Sequence, residues 1–162
     1  MKVNKNQGNY EVFIEGSIGE GSPLFQLDVR DAVLISIDME KLTYINSVGV
    51  KGWIQWTLRV PPKSKFSLRR VPLVIINQAS MVSGFLPPQA VIENFQAPFV
   101  CPDCNTEAVV PLARGKEYEY AAGGQPKRVD LPTINCPKCK AEMEADFTIA
   151  KALAFLDKPV PA

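Results

Sequence analysis

The sequence predicts an α+β fold: a mixed β-sheet with helices on one face, then a small β module built on cysteine knuckles, then a C-terminal helix. Three observations carry this expectation. Short β-branched runs such as Ala32–Met39 (AVLISIDM) alternate with stretches of helical periodicity such as Val50, Trp53, Ile54 and Leu58. All four cysteines fall into two C-x-x-C pairs, Cys101-Pro102-Asp103-Cys104 and Cys136-Pro137-Lys138-Cys139. The chain has 162 residues, 46% of them hydrophobic, which suffices for one ordinary core with a small appendage.

The elements follow in order. Met1 to Asn9 is polar and has no apolar signal core, and no apolar run approaches the roughly 18 residues of a membrane span. The chain is therefore expected to be soluble and cytoplasmic, away from membranes. Tyr10 to Ile18 alternates and reads as a strand, although Phe13 spoils strict alternation. Gly16, Gly19, Gly21 and Pro23 punctuate a turn-rich stretch, in which Leu24, Phe25 and Leu27 fit a single helical turn. Ala32–Met39 reads as a buried strand. Ser47 is a good N-cap for a helix starting at Val48, with Asn46 as the shifted alternative, and Pro61 and Pro62 stop that helix. Trp53 lies on its apolar face. Trp56 is rotated off that face and is expected to be exposed, marking a docking surface.

Phe66 to Arg70 fits a short strand. Val71 to Leu86 opens with a strand-like composition. Pro72 nevertheless suits a first helical turn, Val74, Gln78, Met81, Val82 and Phe85 keep one face, and Gly84 sits where a helix would end; a helix is expected. Val91 to Val100 reads as one strand running into the first cysteine pair. Ala108–Leu112 and Glu117–Tyr120 read as short strands and Ala121–Gln125 as a turn. Asp146 should cap a helix to Leu156, finished by Pro159 and Pro161. This divides the chain into a domain over 1–96, a cysteine ribbon over 97–145, and a helix and tail over 146–162.

Charge and composition exclude several functions. Lys and Arg total 18 against 17 Asp and Glu, a net +1, so no long-range field draws phosphates to the chain. The absence of histidine removes His-based acid–base chemistry, Ser-His-Asp triads and His-containing zinc sites. There is no P-loop, dinucleotide fingerprint or nucleophile elbow. Asp38, Glu40, Glu15 and Glu20 read as solvated strand ends, and Arg69-Arg70 and Lys127-Arg128 as solvated edges.

The cysteines carry the strongest signal. A two-residue spacer lets a tight turn point both sulfurs at one ion, and two such turns supply a tetrahedral four-sulfur set. Cys101, Cys104, Cys136 and Cys139 are thus expected to bind one structural zinc ion per chain, with no open position for water or substrate. Matched pairs in a reducing compartment argue against a disulfide framework, and a catalytic dithiol needs only one pair followed by a helix. An Fe(Cys)4 site of rubredoxin type is the rival metal. Such knuckles favour a small residue after the second cysteine; Asn105 tolerates the left-handed conformation, while Lys140 is less obvious there.

A family likeness enters at VLISIDMEKL, followed by Tyr44-Ile45-Asn46-Ser47-Val48-Gly49-Val50, an amphipathic helix, a later strand and the Pro72-started helix. From about Tyr10 to Phe95 the chain resembles a STAS domain, the fold of bacterial anti-sigma factor antagonists. The resemblance implies a sheet of four or five strands with helices on one face, a non-enzymatic regulatory role, and an anti-sigma-factor-like or other protein partner bound around Asn46, Ser47, Val48, Gly49 and Trp56. In family members that switch by phosphorylation, the serine preceding the glycine is modified; that position here is Val48, which has no hydroxyl. Ser47 keeps one, read first as a cap and second as a phosphosite. The family's first long helix would fall between Ile18 and Ala32, where Gly21 and Pro23 break the chain. The rival to a protein-binding role is a nucleic-acid-associated ribbon using Arg114, Lys116, Lys127, Arg128, Lys138 and Lys140, whose charge is largely offset by nearby acids.

Overall fold

The polar N-terminus is a strand. In the computed structural model, which describes residues 1–159, β1 (Lys2–Asn6) pairs antiparallel with β2 (Asn9–Ile18). Gln7 and Gly8 join them with positive φ of 46° and 80°, the geometry of a tight two-residue hairpin. Val3 is the only apolar residue of β1 that packs on the core, so the strand left no periodic signal.

From β2 the sheet grows by parallel pairing to β3 (Leu34–Ile45), β4 (Lys65–Arg69) and β6 (Ala90–Ile92), in the order β1-β2-β3-β4-β6. Tyr10, Val12, Ile14, Ile35, Ile37, Phe66, Leu68, Ala90 and Ile92 bury one face. The intervening Glu11, Ser36, Ser67 and Val91 face away and are only partly covered. A 3-10 turn at Pro23–Gln26 stands in the connection from β2 to β3. The crossover from β3 to β4 is α1 (Ser47–Thr57), whose Trp53 and Trp56 rings lie 6.4 and 6.3 Å from Phe66.

The expected helix over Val71–Leu86 is shorter. Val71–Pro72 forms β5, and α2 runs from Leu73 to Met81 with the extended Pro72 at its N-cap. Gly84, at φ 76°, follows in the turn beyond it. The single strand expected over Val91–Val100 is two. β6 ends at Ile92, and β7 (Asn94–Val100) joins a second sheet with β5, β11 (Glu144–Ala145) and, along its whole length, β8 (Glu107–Ala113). Glu93 makes the switch, its N–H donating to Leu68 O and its carbonyl accepting from Arg114 N–H, both at 2.9 Å. β9 (Tyr118–Glu119) pairs with β10 (Arg128–Val129).

The C-terminal helix starts later than expected. α3 is Ile149–Ala152, continued by a 3-10 turn over Leu153–Asp157. Asp146 does not cap it; its N–H is held by Pro98 O at 2.9 Å. Ser80 docks the segment on α2, donating to Ala152 O at 2.6 Å and accepting from Phe155 N–H at 3.2 Å. Pro161 lies outside the described residues. One apolar cluster runs from Tyr10 to Leu156, and the boundary expected at residue 96 falls inside β7. Among the described residues no helix is long and apolar enough to cross a membrane.

Candidate metal centre

The four cysteine sulfurs lie within 4.8 Å of one another at one end of the second sheet. β7 delivers the first knuckle directly after Val100, and β8 leaves it at Glu107. The second knuckle stands between Asn135 and Glu142, which bridge, and it is returned to β7 by β11. The two knuckles repeat one hydrogen-bond pattern. Cys101 N–H donates to Thr106 O at 2.9 Å, and Asn105 N–H to Cys101 O at 2.9 Å. Cys136 N–H donates to Ala141 O at 2.8 Å, and Lys140 N–H to Cys136 O at 3.0 Å. Asn105 and Lys140 both adopt the left-handed conformation, at φ 56° and 68°. Lys140 therefore takes the strained position that a small residue would fill more cheaply.

The sulfurs fit a single ion. Cys101 and Cys139 Sγ are 3.4 Å apart, and Cys104 and Cys136 Sγ 3.6 Å. A tetrahedron with metal–sulfur bonds of about 2.3 Å has edges of about 3.8 Å, within a few tenths of an ångström of these two pairs, and the other separations are no longer than 4.8 Å. All four are free thiols. Cys139 and Lys138 N–H groups, outweighing the opposing burial, bring the Cys136 thiol down to about 6. The hydroxyl and N–H of Thr106 lower Cys104. Cys139 accepts from Ala141 N–H, yet the sulfurs of Cys101, Cys104 and Cys136 crowded against it, which also keep water from part of its sulfur, push it up to about 12. Four thiolates repel one another at this spacing, and a divalent cation at the centre removes the conflict. Among the described residues this is the only group of His, Cys, Asp and Glu able to hold a metal.

The second candidate region, the corner after β3, divides into buried and exposed residues. Asn46, not Ser47, is the N-cap, its Oδ1 accepting from Gly49 N–H at 2.7 Å. Ser47 opens the helix and is exposed, as is Val48 at 51%. Gly49 is buried against the end of β2: a Cβ there would stand 2.2 Å from Ile18 O. Trp56 overturns the expectation of an exposed docking residue. It is 1% exposed and donates from Nε1 to Leu27 O at 3.0 Å, because the β2–β3 connection covers the second side of the helix. Tyr44, 57% exposed, is an apolar surface residue beside this corner that helical periodicity could not reveal.

The charged residues are also re-sorted. Asp38 is not a solvated strand end: it is buried and takes both Nε and a terminal nitrogen of Arg70, whose other nitrogen reaches Glu40 at 2.8 Å. Arg70 has φ 50°, and its N–H donates to Asn94 Oδ1 at 2.6 Å, so this cluster fixes the crossing from β4 into β5. Arg69 is not a free edge either; it pairs with Glu11 at 2.9 Å. In the ribbon, Arg114 pairs with Glu119, Lys116 with Glu117, Lys127 with Asp157 and Arg128 with Asp130. Comparison of the chain with protein-family models, with curated proteins and with solved structures found no match.

Proposed function

We propose that the chain is a non-enzymatic protein-interaction module of the STAS type, stapled by one structural zinc ion on Cys101, Cys104, Cys136 and Cys139. The observation that carries the metal reading is the closed four-sulfur set, which leaves no ligand position for water or substrate. The STAS reading is supported by the five-stranded mixed sheet and by α1 starting at the Asn46–Gly49 corner. The partner surface is the exposed rim of that corner, Ser47 and Val48 with Tyr44, while Asn46 and Gly49 shape it from beneath. A role on nucleic acid is disfavoured because four of the six ribbon cations are already neutralised by acids.

Two experiments test this. Metal analysis should return one zinc per colourless chain; a coloured iron form would replace zinc by iron. The intact chain, immobilised, should capture a protein from extracts of its source cells. Val48→Asp should abolish capture, while Leu58→Asp, on an exposed residue at the other end of α1, should not. Equal capture by all three forms rejects the corner as the contact.

A further inference from the structure

We propose that Cys139 is where a peroxide reaches the metal centre, and that its first disulfide partner is Cys101, across the two knuckles. This inference rests on the zinc-bound centre proposed above. There all four sulfurs are thiolates, so access and shielding decide which one reacts. Cys101 and Cys136 are fully buried. Cys104 is half-buried, and the Thr106 hydroxyl lies 3.1 Å from its sulfur. Cys139 alone is exposed. Its sulfur stands 3.4 Å from that of Cys101, in the other knuckle, while the sulfur of Cys136, its neighbour in the same knuckle, stands 3.6 Å from that of Cys104.

The chemistry balances with hydrogen peroxide as the oxidant. The Cys139 thiolate attacks one peroxide oxygen; an S–O bond forms, the O–O bond breaks and hydroxide leaves, giving the sulfenic acid. The Cys101 thiolate then displaces a second hydroxide from that sulfur, and the disulfide forms. Two thiolates are oxidised by two electrons and one peroxide is reduced. The centre has lost two of the four charges that hold the cation, so the ion leaves. A second equivalent joins Cys104 to Cys136, whose sulfurs are 3.6 Å apart. Both bonds cross between knuckles, so the ribbon remains closed without its metal.

The test uses the intact zinc-loaded chain, treated with one equivalent of hydrogen peroxide, quenched with acid and a maleimide, and assayed for released zinc. Digestion before Asp103 and Asp130 and after Lys138 places all four cysteines on separate peptides. The expected result is that Cys101–Cys139 is the dominant cross-linked peptide and that its yield equals the loss of zinc. Cross-links within a knuckle, Cys101–Cys104 or Cys136–Cys139, as the first product would overturn the assignment, as would zinc retained after cross-linking. Limiting maleimide on the untreated chain should label Cys139 ahead of the other three; uniform labelling also overturns it. A preparation that takes up no metal defeats the metal reading separately, and the same digestion of the reduced metal-free chain still reads the pairing.

Discussion

Gly49→Ala isolates the packing that places the corner. The helix opens against the end of β2, with Asn46 N–H donating to Ile18 O at 3.3 Å. An alanine Cβ would lie 2.2 Å from Ile18 O, 2.8 Å from Ile18 C and 3.1 Å from Ile45 Cγ1. The first contact is about 0.8 Å inside the 3.0 Å that real Cβ atoms respect. Ile18 cannot yield, because it is fully buried and pairs with Ile45 between β2 and β3. The helix start must therefore move, at a cost near or above the upper end of the ~1–3 kcal/mol typical of overpacking. Alanine recovers about 1 kcal/mol of helix propensity over glycine. The net expectation is a destabilisation of about 2 kcal/mol, or a Tm lower by roughly 4–8 °C for a chain of this size. Gly52→Ala is the control. Its Cβ would meet the Phe25 ring at 2.5 Å, but that ring is only half-buried and can swing aside, so the variant should melt close to the parent. Urea and thermal unfolding followed by circular dichroism decide the matter. A Gly49→Ala protein as stable as the parent, or more stable, would refute the clamp between α1 and β2.

Four further outcomes follow from the same structure. Cys101→Ser with Cys104→Ser should bind no zinc and become protease-sensitive within 101–145; a double variant that melts like the parent rejects the staple. Lys140→Gly should raise the urea midpoint by the equivalent of about 1 kcal/mol, since glycine accepts φ 68° without penalty; no gain would place the strain elsewhere. Asp38→Asn removes the charge that Arg70 grips at a buried site and should cost about 1–3 kcal/mol, read from urea unfolding at constant slope; a neutral variant would show that the grip does not fix the β4–β5 crossing. Tyr118 and Tyr120 clamp the backbone of Ile92, one donating to its carbonyl at 2.7 Å and the other accepting from its N–H at 2.8 Å. Burial pushes Tyr120 up from 10.0 to about 12, and raises Tyr118 as well. Between those values the unfolded chain binds fewer protons than the folded one, so this stability is complete below pH 10 and is lost as pH rises through 12. Unfolding midpoints that stay flat across that window would contradict it, and Tyr120→Phe should soften the fall.

The sequence carried the grouping of the four cysteines, because a metal-binding thiolate set needs only the right residues at the right spacing. It also carried the strands whose inward residues alternate. Phe13, the residue that broke the alternation of β2, sits on the open side of the sheet with Glu11. What stayed hidden depended on distant partners. β1 is an edge held by backbone bonds to β2 rather than by an apolar face. Trp56 lay off the helical stripe because periodicity assumes one covered side, and nothing local announces that Leu27 covers the other. Asp38 read as a strand end until Arg70, in an unusual left-handed turn, closed over it. The break at Glu93 could not be seen within Val91–Val100, since both halves suit a strand and only the second sheet separates them.

The one-sided covering of the first sheet also governs how its strands find their alignment. Parallel strands have no tight hairpin to fix register, so crossovers such as α1 leave the choice of partner residues to the pattern itself. In β3 and β4 that pattern is strict: Ile35 and Ile37 meet Phe66 and Leu68 inside, and Ser36 meets Ser67 outside. A slip of β4 by one residue would send Ser67 into the apolar layer and push Phe66 and Leu68 towards water, at about 1.5–3 kcal/mol for each. The polar outer row therefore protects folding fidelity. Filling it with apolar residues would leave the native inner contacts in place but make the wrong alignment nearly as favourable as the right one.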